Sequence, residues 1–284
     1  MKETLKNLRE SLVPKYGKGE TEAIIRIIFH YLKGWSLTDI LIHGDEELSP
    51  YIKSEIKKIQ ERLLQNEPIQ YITGEARFHG MTFQVNPGVL IPRPETDELV
   101  DIIIKDYAGK EDLKVLDLCT GSGCIAISLA RNLKFPKITA LDTSSLALQC
   151  ANKNASALKV SINFIQADIF KWQPDSKYDI IVSNPPYVDD SERISMPANV
   201  VDFEPSQAIF VPDDNPLVFY KRIADIAQAS LNKTGTLYLE INPRHSEELK
   251  GLMKAKGMTD IEIIKDSFGK DRFMVCRKGN LSKI

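Results

Sequence analysis

Over the first 66 residues the apolar positions recur with the period of an α-helix. In TEAIIRIIFHYL, Ile24, Ile25, Ile28, Tyr31 and Leu32 share one face. In SPYIKSEIKKIQERLL, Ile52, Ile56, Ile59 and Leu63 do the same, behind Ser49 as N-cap and Pro50 at the first helical position. This predicts a small helical bundle that carries no cluster of chemically active side chains. The period then falls to two. RFHGMTFQVNPGVLIP alternates Phe78, Phe83 and Val85 with polar residues and is broken at Gly80 and at Asn86-Pro87-Gly88, the pattern of a short hairpin. RPETDELVDIII starts a helix, with Pro94 near its beginning and acids in its first turn.

From residue 114 short apolar strands alternate with helices. KVLDLC, KITALD, INFIQAD, YDIIVSN and GTLYLEI read as strands, and GCIAISLARNL, SSLALQCANKNA, a segment from Asn215-Pro216 to about 230 and HSEELKGLMKAKG read as helices. IEIIK and RFMVCRK close the pattern as strands that pair antiparallel through a turn at Gly269. Continuous apolar strands separated by helices predict an α/β fold with a mainly parallel, doubly wound sheet. The expected layout is a helical substrate-recognition domain over 1–75, a β-hairpin linker over 76–93 and a catalytic domain over 94–284.

Composition narrows the partners. With 37 basic and 39 acidic residues the net charge is −2, so no global field draws the chain to nucleic acid, and no stable nucleic-acid complex is expected. No apolar run approaches the ~20 residues that span a bilayer, and MKETLKNLRE lacks the apolar core of a signal peptide. A cytoplasmic, monomeric protein is expected. The four cysteines lack framework or metal-site spacing, so no metal is expected and the thiols are read as reduced.

VLDLCTGSGCIA sets Gly121 and Gly123 between the first strand of the sheet and the next helix, a turn that lets backbone approach a ligand closely. Asp142 ends the following strand, placed to accept from ribose hydroxyls. These two features alone fit NAD as well as other nucleosides. Asp117, inside the strand before the glycines, favours S-adenosyl-L-methionine, because an acid there suits a cationic amino-acid end and not a pyrophosphate. Asp168 ends the next strand and can accept from an adenine amino group. Three acids at three successive strand ends suit one ligand with a sulfonium, an ammonium and a ribose.

The fourth strand end carries Asn184-Pro185-Pro186-Tyr187. Two prolines remove two backbone donors and fix φ, and Pro185 holds Asn184 extended. The Asn184 side-chain oxygen and the Pro185 carbonyl then form a rigid acceptor pair for a planar NH₂, with Tyr187 beside it as a stacking face. Such a pair serves methyl transfer to an amide or ring amino nitrogen, in which alignment does most of the catalysis.

Beyond this motif, PIQYITGEARFHGMTFQVNPGVLIPRPETDELV, DLCTGSGCIAISLA, DTSSLALQCANKNA, DIIVSNPPY and FEPSQAI together resemble the peptide chain release factor glutamine N5-methyltransferases, the PrmC or HemK family. The resemblance implies a Rossmann-like class I methyltransferase domain that uses S-adenosyl-L-methionine. Its implied substrate is the glutamine of the Gly-Gly-Gln loop in class 1 release factors. Carried over residue by residue, Cys119, Thr120, Gly121, Ser122, Gly123 and Asp142 line the cofactor, and Ile169 flanks its adenine. Asn184, Pro185, Pro186 and Tyr187 hold the target amide. Arg93 and Glu95 belong to the family signature and are expected to brace the hairpin. The chain departs from the family at EINPRH, Glu240 to His245, where Glu-Ile-Gly is common; His245 is expected as a capping or surface residue. The runner-up activity is amino methylation of adenine or guanine in nucleic acid, since the chemistry presented to Asn184 is the same.

Overall fold

The computed structural model describes residues 1–279, which form two compact units. The first comprises Met1–Glu75 with Pro197–Phe203, and the second begins at Ala76, omits that short segment and resumes at Glu204.

The first unit contains helices α1 (Lys2–Lys33), α2 (Leu37–Ile42), α3 (Pro50–Leu64) and α4 (Ile69–Thr73). Gly17 interrupts α1 with φ 73° and ψ 168°, a conformation outside the helical region. Ser49 caps α3 through a bond from Ile52 N. Ile24, Ile25 and Ile28 pack against Ile52, Ile56, Ile59 and Leu63, as their spacing requires. Tyr31, placed by period on that face, is 49% exposed, and Phe29 fills the core in its stead.

A hairpin follows, of β1 (Glu75–Phe78), which belongs to the second unit from Ala76 on, and β2 (Met81–Gln84). His79 and Gly80 both take positive φ, the demand of a two-residue turn matched to strand twist. Phe78 and Phe83 meet edge to face at 5.9 Å in the main core. The chain continues through α5 (Pro94–Asp106), β3 (Lys114–Leu118), α6 (Cys124–Asn132), β4 (Lys137–Asp142), α7 (Ser145–Ala157), β5 (Asn163–Gln166), β6 (Tyr178–Ser183) and β7 (Val188–Asp189). Then come α8 (Ala198–Val201, in the first unit), β8 (Phe210–Val211), α9 (Val218–Ser230), β9 (Leu231–Glu240), α10 (Ser246–Ala255), β10 (Met258–Lys265) and β11 (Asp271–Lys278). Helix α9 begins two residues past Asn215-Pro216, because Asn215 O accepts the Val218 N–H in a turn of its own before the helix starts.

Seven strands form one sheet in the order β10-β11-β9-β6-β3-β4-β5. The five from β9 to β5 are parallel, and β11 and β10 add antiparallel. Apolar clusters cover both faces, one with α5 and α6 and the other with α9 and α10. The crossover from β3 leads to β4 on one side, while β6 pairs on the other side. The order therefore reverses beside β3, where an open sheet leaves a crevice at its carboxyl ends. Leu118 and Ser183 are paired neighbours in that crevice, so the glycine turn and the proline motif emerge side by side.

Candidate active site

Cys119 leaves β3 with φ 63°, and Gly121 and Gly123 follow with φ 56° and 80°. A Cβ on Gly123 would sit 3.1 Å from Ala151 Cβ, so glycine there serves both the turn and the packing of α6 on α7. Above this turn lies a cavity of about 220 Å³ lined by Cys119, Gly121, Asp142, Asp168, Ile169, Asn184 and Pro186 among others. Asp142 Oδ2 accepts from Gly121 N at 2.8 Å and Oδ1 from Ser144 N at 2.9 Å. Each oxygen keeps a further lone pair for a ligand hydroxyl. Burial holds the Asp142 pKa above the ordinary carboxylate value despite these bonds.

Asp117, Thr120, Ser122 and Gly123 are not on the cavity wall; Asp117 is buried in β3, and Thr120 and Ser122 are buried in the turn. Thr120 Oγ1 donates to Asp117 Oδ2 at 2.6 Å, and Asp117 Oδ1 is buried without a hydrogen-bond partner. Burial pushes the Asp117 pKa up to about 7. Sequence reading did not single out Phe170 and Phe219, which line the same cavity with ring centroids 5.1 Å apart. Phe170 follows Ile169 directly, but Phe219 comes from the start of α9, and only the fold brings it there.

A second cavity, of about 100 Å³, is lined by Arg93, Asn184, Pro185, Tyr187 and Met196. Asn184 lines both. Its Nδ2 donates to Thr96 Oγ1 at 3.1 Å, and Thr96 Oγ1 donates to Glu240 Oε2 at 2.6 Å. Tyr187 Oη donates to Glu240 Oε1 at 2.9 Å. Glu240 is 1% exposed, and burial raises its pKa, with Glu95 adding to the negative field. Tyr187 and Val188 both donate backbone N–H bonds to Ile209 O, and β7 pairs with β8, which pins the chain beyond the prolines.

Arg93, a residue of the family signature expected to brace the hairpin, bonds to Glu204 in the segment between α8 and β8 and not to β1 or β2. Its Nη2 donates at 2.7 Å to Glu204 Oε1, while Ile91 N donates at 3.1 Å to Oε2. The Glu204 side chain is fully buried and Arg93 is 31% exposed. Arg93→Ala strands that carboxylate, and unfolding in urea is expected to show a loss of about 2 kcal/mol, below the usual cost of breaking a buried pair because water reaches the vacated space. The departing loop also contacts the motif. Asn242 Nδ2 donates to Tyr187 O at 3.0 Å, and His245 Nε2 lies 2.9 Å from Asp189 Oδ2. His245 stands at the N-cap of α10, the capping position expected, without a side-chain cap bond, and its ring anchors the strand after Tyr187.

The chain resembles known proteins over nearly its whole length. Residues 3–74 match the family described as PrmC N-terminal domain, and residues 80–201 match the methyltransferase small domain. A release factor glutamine methyltransferase of Bacteroides thetaiotaomicron is 44% identical over 95% of this chain and 98% of its own length. One from Flavobacterium psychrophilum is 39% identical over 95% and 98%. The chain belongs to the release factor glutamine methyltransferase family.

A Thermus thermophilus 16S rRNA N2 G1207 methyltransferase, solved with AdoMet and guanosine, aligns with a TM-score of 0.54 at 20% identity, over 72% of this chain and 49% of its own. That likeness shows the fold: a Rossmann-like class I methyltransferase domain, which in this family member follows an N-terminal helical bundle.

Proposed function

We infer that the protein transfers a methyl group from S-adenosyl-L-methionine to the side-chain amide N5 of the glutamine in the Gly-Gly-Gln loop of class 1 release factors. The observation that carries this reading is the place of Asn184 in the wall shared by two cavities, one above the glycine turn and one beside Tyr187. The residues of the first cavity fit the donor. The buried carboxyl of Asp117, with Oδ1 unpartnered, supplies negative charge under the turn when it is ionised, and the bare backbone at Gly121 has open space where a Cβ would stand. Asp142 suits ribose hydroxyls, Asp168 and Ile169 suit an adenine edge, and Phe170 with Phe219 give it an apolar wall. Cys119, Thr120, Ser122 and Gly123 shape this turn from within. When bound, S-adenosyl-L-methionine supplies an electrophilic methyl on a sulfonium.

The chain's own part is to hold the acceptor. Asn184 Oδ1 and the Pro185 carbonyl take the two N–H bonds of the glutamine amide, and Pro185 and Pro186 prevent either from moving. Tyr187 packs on the amide plane. No strong base is needed beforehand, because the amide proton becomes acidic only as the new N–C bond forms.

The helical domain (1–75) is the docking element for the release factor, the hairpin (76–93) a linker, and 94–284 the catalytic domain, whose residues 280–284 lie outside the described residues. Its support is the lack of chemically active clusters in the bundle and the size of a protein substrate. Among the described residues no helix is long and apolar enough to cross a membrane. A translation factor as substrate supports a cytoplasmic enzyme, and the −2 net charge supports one that works without a stable nucleic-acid partner.

Methyl-labelled donor, incubated with the protein and either release factor or DNA and RNA, tests the reading. Label is expected on the Gly-Gly-Gln glutamine. Label in nucleic acid with none in the release factor overturns it.

A further inference from the structure

A carboxamide has nearly the same shape either way round, so packing alone does not decide whether Asn184 shows an oxygen or an NH₂ to the small cavity. Gripping a target amide by its N–H bonds requires the oxygen. We propose that Thr96 and Glu240 are positioning residues that lock Asn184 with its oxygen outward, an inference that rests on the reading of Asn184 given above. Glu240, at the end of β9, is buried and, ionised, can only accept. It takes the hydroxyl proton of Thr96 at 2.6 Å and that of Tyr187 at 2.9 Å. A threonine hydroxyl has one proton. With that proton on Glu240, Thr96 can only accept from Asn184, at 3.1 Å, and what it accepts is an N–H. The NH₂ end is therefore tied inward, and planarity turns Oδ1 the other way. The same carboxylate fixes the Tyr187 ring through its hydroxyl, so one buried group sets both the acceptor and the stacking face. Asn184, Thr96 and Glu240 come from three separate elements, after β6, on α5 and on β9, and meet only here.

Thr96→Val keeps the shape and removes the proton. Turnover at saturating donor and release factor is expected to fall by about 10²-fold, the scale of losing one preorganised hydrogen bond at a reacting group. The Kd for S-adenosyl-L-methionine and the KM for release factor should stay within about threefold, and Thr96→Ser should recover most of the lost turnover. Glu240→Gln can accept from only one of the two hydroxyls, and a fall of about tenfold or more is expected from it, which decides the matter should Thr96→Val not fold. The Asn184 side-chain NH₂ resonances, assigned by their loss in Asn184→Asp, give a readout independent of the acceptor. They are expected to exchange slowly with water in the wild type and in Thr96→Ser, and rapidly in Thr96→Val. Wild-type turnover in Thr96→Val, a Thr96→Ser as damaged as Thr96→Val, or unchanged NH₂ exchange overturns the proposal. A wild-type protein that leaves release factor unmethylated while the NH₂ protection behaves as stated indicts the assigned acceptor and supports the lock.

Discussion

Asn184→Ala lowers the turnover of methyl transfer by about 10³-fold and leaves the Kd for S-adenosyl-L-methionine within about threefold. The size follows from what the side chain does. Its oxygen is one of two fixed acceptors for the target amide, and the rigid frame of Pro185 and Pro186 lets nothing else move into its place. Alanine also frees Thr96 Oγ1 and opens the wall between the two cavities, so the nitrogen loses both its grip and its alignment. Cofactor affinity is spared because most of the larger cavity's wall, Asp142, Asp168 and the phenylalanine pair included, is left in place. Equilibrium binding of the donor and single-turnover transfer to release factor measure the two quantities separately. A Kd that climbs in step with the lost turnover places Asn184 in cofactor binding alone.

Asp117→Asn is expected to make the protein more stable and a poorer binder of its donor. Burial carries this carboxyl to about 7 in the fold, against about 3.9 in an unfolded chain. The folded state thus keeps a proton that the unfolded state has already released. Stability is full below pH ~4 and declines as the pH rises toward 7, by up to about 4 kcal/mol. Asparagine removes that decline, so the melting temperature of the ligand-free protein should rise by several degrees at pH 8, with the gain shrinking as the pH is lowered toward 4. Binding moves the opposite way. With no exposed oxygen, Asp117 acts on a cation as a charge beneath the turn, and its neutralisation should weaken S-adenosyl-L-methionine binding by about tenfold. In the wild type the same Kd should rise as the pH falls below about 7. Thermal melts and calorimetric titrations across pH 5 to 8 check both signs; an Asp117→Asn protein that binds the donor normally removes the acid from cofactor recognition.

What could be read from the amino acids alone was whatever is local. The glycine turn, the proline motif and the cap at Ser49 each lie within a dozen residues, and their backbone demands are visible in the letters. The alternation of strand and helix gave the parallel sheet, and the crevice beside β3 then follows from topology. The parts that escaped are pairs of distant residues. Thr96 meets Glu240 across 144 positions, Arg93 meets Glu204 across 111, and Asn242 meets Tyr187 across 55. A threonine in the first turn of a helix and a glutamate ending a strand look like ordinary surface until the sheet joins them. The same holds for Tyr31 and Phe29, where period alone chose the wrong aromatic because a helical face has no sharp edge.

The last strand of the sheet is not at its margin. β11 lies between β9 and β10, with Phe273 paired to Glu240. A nascent chain that has already made β10 still cannot seat it, and β9 keeps a bare hydrogen-bonding rim until residues 271–278 arrive. A premature stop shortly before Asp271 therefore takes out a beam from within the floor, leaves β10 without the strand it pairs with, and exposes a sticky edge at the strand that carries Glu240.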